Sequence, residues 1–205
     1  EHISRRFNKD IEDLRNHVLA MGGLVESQLS LAISAIVSGD SELGLKVAED
    51  DYKVNNLEVD IDEECGRILA TRAPAAGDLR LIVAIIKTIT DLERIGDEAK
   101  RIAKMVKDEL NGSLSEDVRN ELEHMGDLVR DMLRGVLDAF ARTDVEAAVT
   151  VVESDQRVDA THHHVLDDGL EQVLLGLVVE IGQPLADTGP FGDVVDARGR
   201  ITFLR

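Results

Sequence analysis

The chain has 205 residues, 43% of them apolar, which is enough to bury one large core or two small ones and excludes a disordered polymer. A formal charge of −18 argues against nucleic acid or an anionic lipid surface as partner, and suits cations or basic patches on other proteins. Three prolines, few aromatics and an abundance of Leu, Ile, Val, Ala, Glu and Asp favour long helices.

The single cysteine, Cys65, excludes an internal disulfide, fits a reducing compartment and reads as a small buried residue rather than a reactive thiol. No signal peptide is visible, and no apolar run approaches the roughly 20 residues of a membrane span. A soluble, cytoplasmic protein is expected.

The first helix is expected from about Arg5 to Val37. Ile11, Leu14, Val18, Met21, Val25, Leu29, Ala32 and Ile36 recur at steps of three and four, one face of an amphipathic helix. Ser38-Gly39-Asp40 stops it and caps the next. A second helix is expected from about Ser41 to Thr71, with the seam Val47, Asp51, Val54, Glu58, Ile61, Cys65 and Ile68. Asp51 and Glu58 replace apolar residues on that seam, and Asp62 lies four beyond Glu58. Arg72 to Asp78, containing Pro74 and Gly77, is a short breaker, so a third helix from about Ala75 to Leu110 returns antiparallel to the second.

In the third helix Leu79, Ile82, Val83, Ile86 and Ile89 form an apolar stripe whose continuation is Glu93, Asp97 and Lys100. Two carboxylates one turn apart therefore point the same way, toward the core side. Gly96, inside this helix, suggests a neighbouring backbone close by. Asn111-Gly112-Ser113 is the clearest boundary. Ser115 opens a fourth helix reaching about Arg142, and Thr143-Asp144 caps a fifth, from about Val145 to Asp168.

The chain repeats itself at a spacing of 104 residues. Met21-Gly22-x-Leu24-Val25 falls on Met125-Gly126-x-Leu128-Val129, Asp40 on Asp144, and Val47, Glu49, Asp51 and Val54 on Val151, Glu153, Asp155 and Val158. The repeat calls for acids near positions 197 and 201, where Ala197 and Ile201 stand. From Gly169 onward, glycines and prolines preclude a long helix, and Leu174–Ile181 and Arg200–Leu204 read as short strands or coil.

The fold expected is all-α: tandem three-helix bundles, the second incomplete. Residues 1–110 form the first, 114–168 contribute two helices of the second, and 169–205 are an atypical tail, irregular or short β.

With the second and third helices antiparallel, Glu58 and Asp62 face Glu93 and Asp97, with Asp51 one or two turns away. Such convergence needs compensating charge. Oxygen donors on rigid helices favour hard cations, iron or manganese over a zinc–thiolate site. The alternative is that the acids are solvated, or pair with Arg67, Arg94, Lys100 or Arg101. In the second half Asp155 and Asp159 are the equivalent pair. His162, opening His162-His163-His164, is either a ligand or part of an exposed helix end.

The first 165 or so residues resemble the PhoU family of bacterial phosphate-signalling accessory proteins. The resemblance rests on Met21-Gly22-Gly23-Leu24-Val25-Glu26, Val54-Asn55-x-x-Glu58-Val59-x-Ile61-Asp62, Asp78-Leu79-Arg80-Leu81 and, above all, Leu92-Glu93-Arg94-Ile95-Gly96-Asp97. It implies two tandem three-helix bundles with acidic metal motifs. It further implies Glu58, Asp62, Glu93 and Asp97 as metal ligands with Asp51, and Asp155 and Asp159 in the second half. The metals expected are iron or manganese, or else magnesium or another divalent or trivalent ion.

By resemblance the chain is a non-enzymatic adaptor at the membrane's cytoplasmic face. It would contact the phosphate ABC transporter ATPase and a sensor histidine kinase, and restrain the phosphate-starvation response. A second copy of the Leu-Glu-Arg-Ile-Gly-Asp element is missing, and beyond Asp168 no family match is read. An uncapped second bundle favours self-association. Two other classes compete. A carboxylate-bridged di-metal enzyme needs Glu-x-x-His on two helices, and only Glu121 with His124 supplies one. A metal-free helical interaction protein needs no inward acids at all.

Overall fold

A computed structural model describes residues 2–108 and 114–151, and its helices follow one another without strands among the described residues. They are α1 (His2–Ser38), α2 (Ser41–Asp50), α3 (Tyr52–Arg72), α4 (Ala76–Asp108) and α5 (Glu116–Arg142), with residues 145–151 helical again. The expected Asp155, Asp159 and His162, and the tail from 169, lie outside the described residues.

The α1 face read from the sequence is the one buried. Leu14, Val18, Met21, Val25, Leu29 and Ala32 are fully buried against α3, α4 and α5. By length and composition part of α1 is apolar enough to cross a membrane, a stretch the sequence reading passed over. Here its apolar face makes the core instead.

The helix expected over 41–71 is two helices. Asp51 stands between them with φ −56° and ψ −32°, so the chain barely changes direction. The Asp51 carbonyl accepts from Val54 N–H at 2.9 Å, a tightened turn, and its carboxylate makes no cap for α3. That carboxylate is engaged elsewhere, as shown below. Ala73 ends α3 in the left-handed region (φ +44°), and Pro74 follows it.

Both expected caps form. Asp40 accepts from Leu43 N–H at 2.9 Å and Asp144 from Ala147 N–H at 3.0 Å, satisfying donors that helix starts leave open. The Ser115 hydroxyl caps α5 through Val118 N–H at 3.3 Å.

α5 packs on α1, and the buried core is continuous from α1 to α5. The seam is reciprocal. A methyl group at Gly22 would overlap the Leu137 side chain, and one at Gly126 would come within 2.6 Å of Ile33 Cδ1. Gly126 and Leu137 are the repeat counterparts of Gly22 and Ile33, so each helix offers a bare-backbone hollow to the other's large side chain. The Arg134 guanidinium reaches across the same seam to Glu26.

Candidate functional site: an acidic groove between α3 and α4

On α4 the buried stripe is Ile82, Ile85, Ile89, Leu92, Ile95, Ala99, Ile102 and Val106. Leu79 and Val83, which the sequence reading counted inward, are each 43% exposed. Of the expected stripe, Ile82 and Ile89 are buried, whereas Leu79, Val83 and the half-buried Ile86 form the flank of the buried face, and the continuation, Glu93 and Asp97, lies on that flank. Glu93 is half-buried and Asp97 is exposed. The expectation that both point into the core is corrected: they line the edge of α4 beside α3. The error arose because both flanks of this helix are apolar near its start, so a three-and-four step is satisfied by either.

Across the groove, α3 contributes Glu58, half-buried, and Asp62, exposed. The antiparallel pairing brings the expected four together electrically. Burial raises the Glu58 carboxyl above its ordinary 4.5, helped by the negative charges of Asp62 and Asp97. Burial likewise raises Glu93, followed by the charges of Asp97, Glu58 and Asp51 and by a side-chain hydrogen bond with Asp97. Glu58 and Glu93 therefore sit in an excess of negative charge.

Asp51 differs from the other four. It is 3% exposed, as its seam position implies, and is already paired. Lys100 Nζ donates to Asp51 Oδ2 at 2.7 Å, and Gln28 Nε2 donates to Asp51 Oδ1 at 2.9 Å. The same ammonium reaches Asp97 Oδ1 at 3.1 Å. The hydrogen bond to Asp51 raises Lys100 above its ordinary 10.5, against burial, which lowers it. Gln28, 6% exposed on α1, went unnoticed in the sequence. A lone polar residue on the apolar face of α1 was the available signal.

Gly96 lets this joint close. A methyl there would come within 3.3 Å of both Gln28 Oε1 and Val54 Cγ1, so the close neighbours are side chains, not the backbone the sequence suggested. Two further acids, Asp91 and Glu98, are buried on α4 with Arg94 and Arg101 one turn on, at 4.0 and 2.9 Å. Cys65 is fully buried beside the groove, and burial pushes its thiol up to about 12, which removes nucleophilic thiolate at neutral pH. His124 is exposed on α5, which packs on α1, so Glu121-x-x-His124 does not join the groove.

In donor chemistry the groove fits a hard cation: oxygen ligands only, on two packed helices, with negative charge in excess. In arrangement it is open. Among the described residues no three acidic, histidine or cysteine side chains stand together as a metal site. Asp62 and Asp97 are exposed, Asp97 with Lys100 as a partner, whereas Asp51 is buried and held by two donors.

An all-α chain with repeated halves, a glycine-fitted seam and a carboxylate groove belongs to the class of tandem helical-bundle proteins. The PhoU domain model matches residues 18–106 and again 122–189, so the chain is a member of the PhoU family. The second match extends past 168, where the sequence reading ended its resemblance.

The chain is 48% identical over 158 residues to the phosphate-specific transport system accessory protein PhoU homolog of Pseudomonas putida, covering 77% of this chain and 62% of that protein. It is 44% identical over 166 residues to the accessory protein PhoU of Escherichia coli K12, covering 81% and 68%. Its match thus spans less than two thirds of the length of the Pseudomonas putida relative. The crystal structure of PhoU from Pseudomonas aeruginosa superposes with a TM-score of 0.75 at 42% identity, covering 91% of this chain and 92% of that one. The Streptococcus pneumoniae phosphate transport system regulatory protein PhoU gives a TM-score of 0.76 at 26% identity, over 88% and 95%.

Proposed function

We propose that this chain is a non-enzymatic regulator of phosphate transport, a cytoplasmic adaptor between the phosphate ABC transporter ATPase and a sensor histidine kinase. On this reading it holds the phosphate-starvation response off while phosphate is plentiful. The observation that carries it is the PhoU-domain match in both halves of the chain, together with the accessory role that the relatives' names give them. The fold suits the role. Long helices packed on a continuous core present rigid faces, and the chain's −18 charge attracts basic partner surfaces.

The same reading makes Glu58, Asp62, Glu93 and Asp97 the holders of a hard metal ion, with Asp155 and Asp159 serving a second site and self-association completing the assembly. A bound cation would neutralise the groove and clamp α3 to α4. What the chain's own residues supply is a set of carboxylates on two helices already packed together.

Expression in a bacterium lacking its own PhoU protein tests the regulatory role. In phosphate-rich medium a phosphate-starvation reporter is expected to fall back to the repressed level; a reporter that stays fully on overturns the reading. Elemental analysis of chelator-free protein tests the metal role separately. Stoichiometric metal in the natural sequence, lost in Glu93→Ala/Asp97→Ala, is the expected result.

A further inference from the structure

Lys100 occupies the place a cation would take at one end of the groove. Its ammonium lies 2.7 Å from Asp51 and 3.1 Å from Asp97, joining a buried carboxylate to an exposed one. Asp51 cannot turn away: Gln28 holds its second oxygen, and the residue is 3% exposed at the break between α2 and α3. Asp97 can turn, since half its side chain is exposed. Lys100 is thus anchored on its buried side and exchangeable on its exposed side. The Lys100 side chain is 28% exposed; its pair with Asp51 is shielded from water, while its pair with Asp97 faces solvent.

We infer that Lys100 is a positioning residue that gates metal loading: it occupies Asp97 as an internal counter-ion, and a metal must displace it from Asp97 before that carboxylate can bind. This rests on the groove carboxylates being metal ligands. It accounts for a feature that reading leaves open, namely why a lysine bridges two of the acids at one end of the groove. Asp51 accordingly acts through Lys100 rather than as a ligand. The Gln28–Asp51 contact holds the ammonium at a set distance from α4's carboxylates. A gate of this kind makes loading selective, because the incoming ion must outcompete an ammonium already in place, and ions of higher charge do so best.

The test is a titration of the full chain, freed of metal by chelator, with Mn2+, following loss of the free-ion electron paramagnetic resonance signal. Removing Lys100 frees Asp97, so Lys100→Met is expected to bind Mn2+ on the order of tenfold more tightly, the worth of one charge-assisted hydrogen bond. Lys100→Met leaves Asp51 buried without its counter-charge, so Asp51→Asn/Lys100→Met is measured beside it. There the buried charge is removed with its partner, and the same tightening is expected in a stably folded chain. Lys100→Arg, which keeps the charge, is expected to stay within about twofold of the natural sequence.

Lys104→Met removes the same charge from an exposed position one turn along α4 and is expected to change affinity less than threefold, of the size general charge effects have across a Debye length. Equal affinity in the natural sequence and in both Lys100→Met chains, or weaker binding in them, overturns the gate and leaves the metal reading standing. A tightening in Lys104→Met as large as in Lys100→Met also overturns it, since net charge would then explain the effect. Mn2+ binding in none of the chains overturns the metal reading and the gate with it.

Discussion

The turn after α1 and the turn after α5 are one construction built twice, 104 residues apart. In each an aspartate amide reaches back to an alanine carbonyl at 2.9 Å, Asp40 to Ala35 and Asp144 to Ala139, and the aspartate side chain caps the helix that follows. The residues around this frame have diverged. The left-handed position is Gly39 in the first turn (φ +71°) and Thr143 in the second (φ +54°). Four residues past the cap, Gly44 in the first half corresponds to Ala148 in the second.

Every helix start needs its N–H groups satisfied, so the caps persist. A missing methyl is needed only where a neighbour comes too close for a Cβ. At Gly44 it does: a Cβ there would lie 2.5 Å from the Ala103 carbonyl oxygen of α4. At position 148 an alanine is buried, at 2% exposure.

The largest effect that would break this contrast is at that contact. Gly44→Ala must push α2 off the α4 backbone and is expected to cost about 3 kcal/mol, whereas Ala148→Gly should cost about 1 kcal/mol from helix propensity alone. Urea unfolding reads both, and equal costs would mean that α2 does not approach α4 so closely. Next comes the seam. Ile33→Ala and Leu137→Ala each empty one hollow of a matched pair and should each cost about 2–3 kcal/mol. Costs that differ by more than twofold would show that the two contacts are not equivalent.

Smaller still are the caps. Asp40→Ala and Asp144→Ala are expected to lose about 1 kcal/mol apiece, seen as parallel drops in the unfolding midpoint. The smallest effect belongs to the groove, which the caps leave untouched. Glu58 and Glu93 are raised above 4.5 in the folded chain, so the fold binds protons more tightly than the unfolded chain does. Their contribution to stability is fully present below about 4.5 and is lost as pH rises through the raised values. Glu93→Gln should therefore raise the melting temperature slightly at pH 7 in chelator. That gain should vanish near pH 4, and a gain equal at both pH values would show that Glu93 is not under charge stress.

Much of this was legible in the residues because it is local. The α1 stripe, the Asp40, Ser115 and Asp144 caps and the antiparallel return at Pro74 follow from spacing and side-chain chemistry within a few positions. The family pattern was carried by the run from Leu92 to Asp97, which the matched PhoU domain includes.

What escaped depends on a third helix. Nothing near Asp51 breaks a helix by propensity, and the interruption falls where its carboxylate turns to Gln28 on α1 and Lys100 on α4. Glu93 and Asp97 were assigned to the core because two neighbouring flanks of α4 are both apolar at its start. Which one is buried is decided by α1, not by α4's own sequence. The need for Gly44 has no local signal, because the Ala103 carbonyl that excludes a side chain there is distant in sequence.

The pairing of Gly22 with Leu137 and of Gly126 with Ile33 carries one more consequence. Two rods fastened by a single pin can still swivel about it. Fastened by two pins eleven residues apart, at 22 and 33 on one helix and 126 and 137 on the other, they can neither pivot nor slide unless both pins lift together. The first half of the chain and the helix that opens the second therefore hold a set angle, and a partner gripping one turns the other with it.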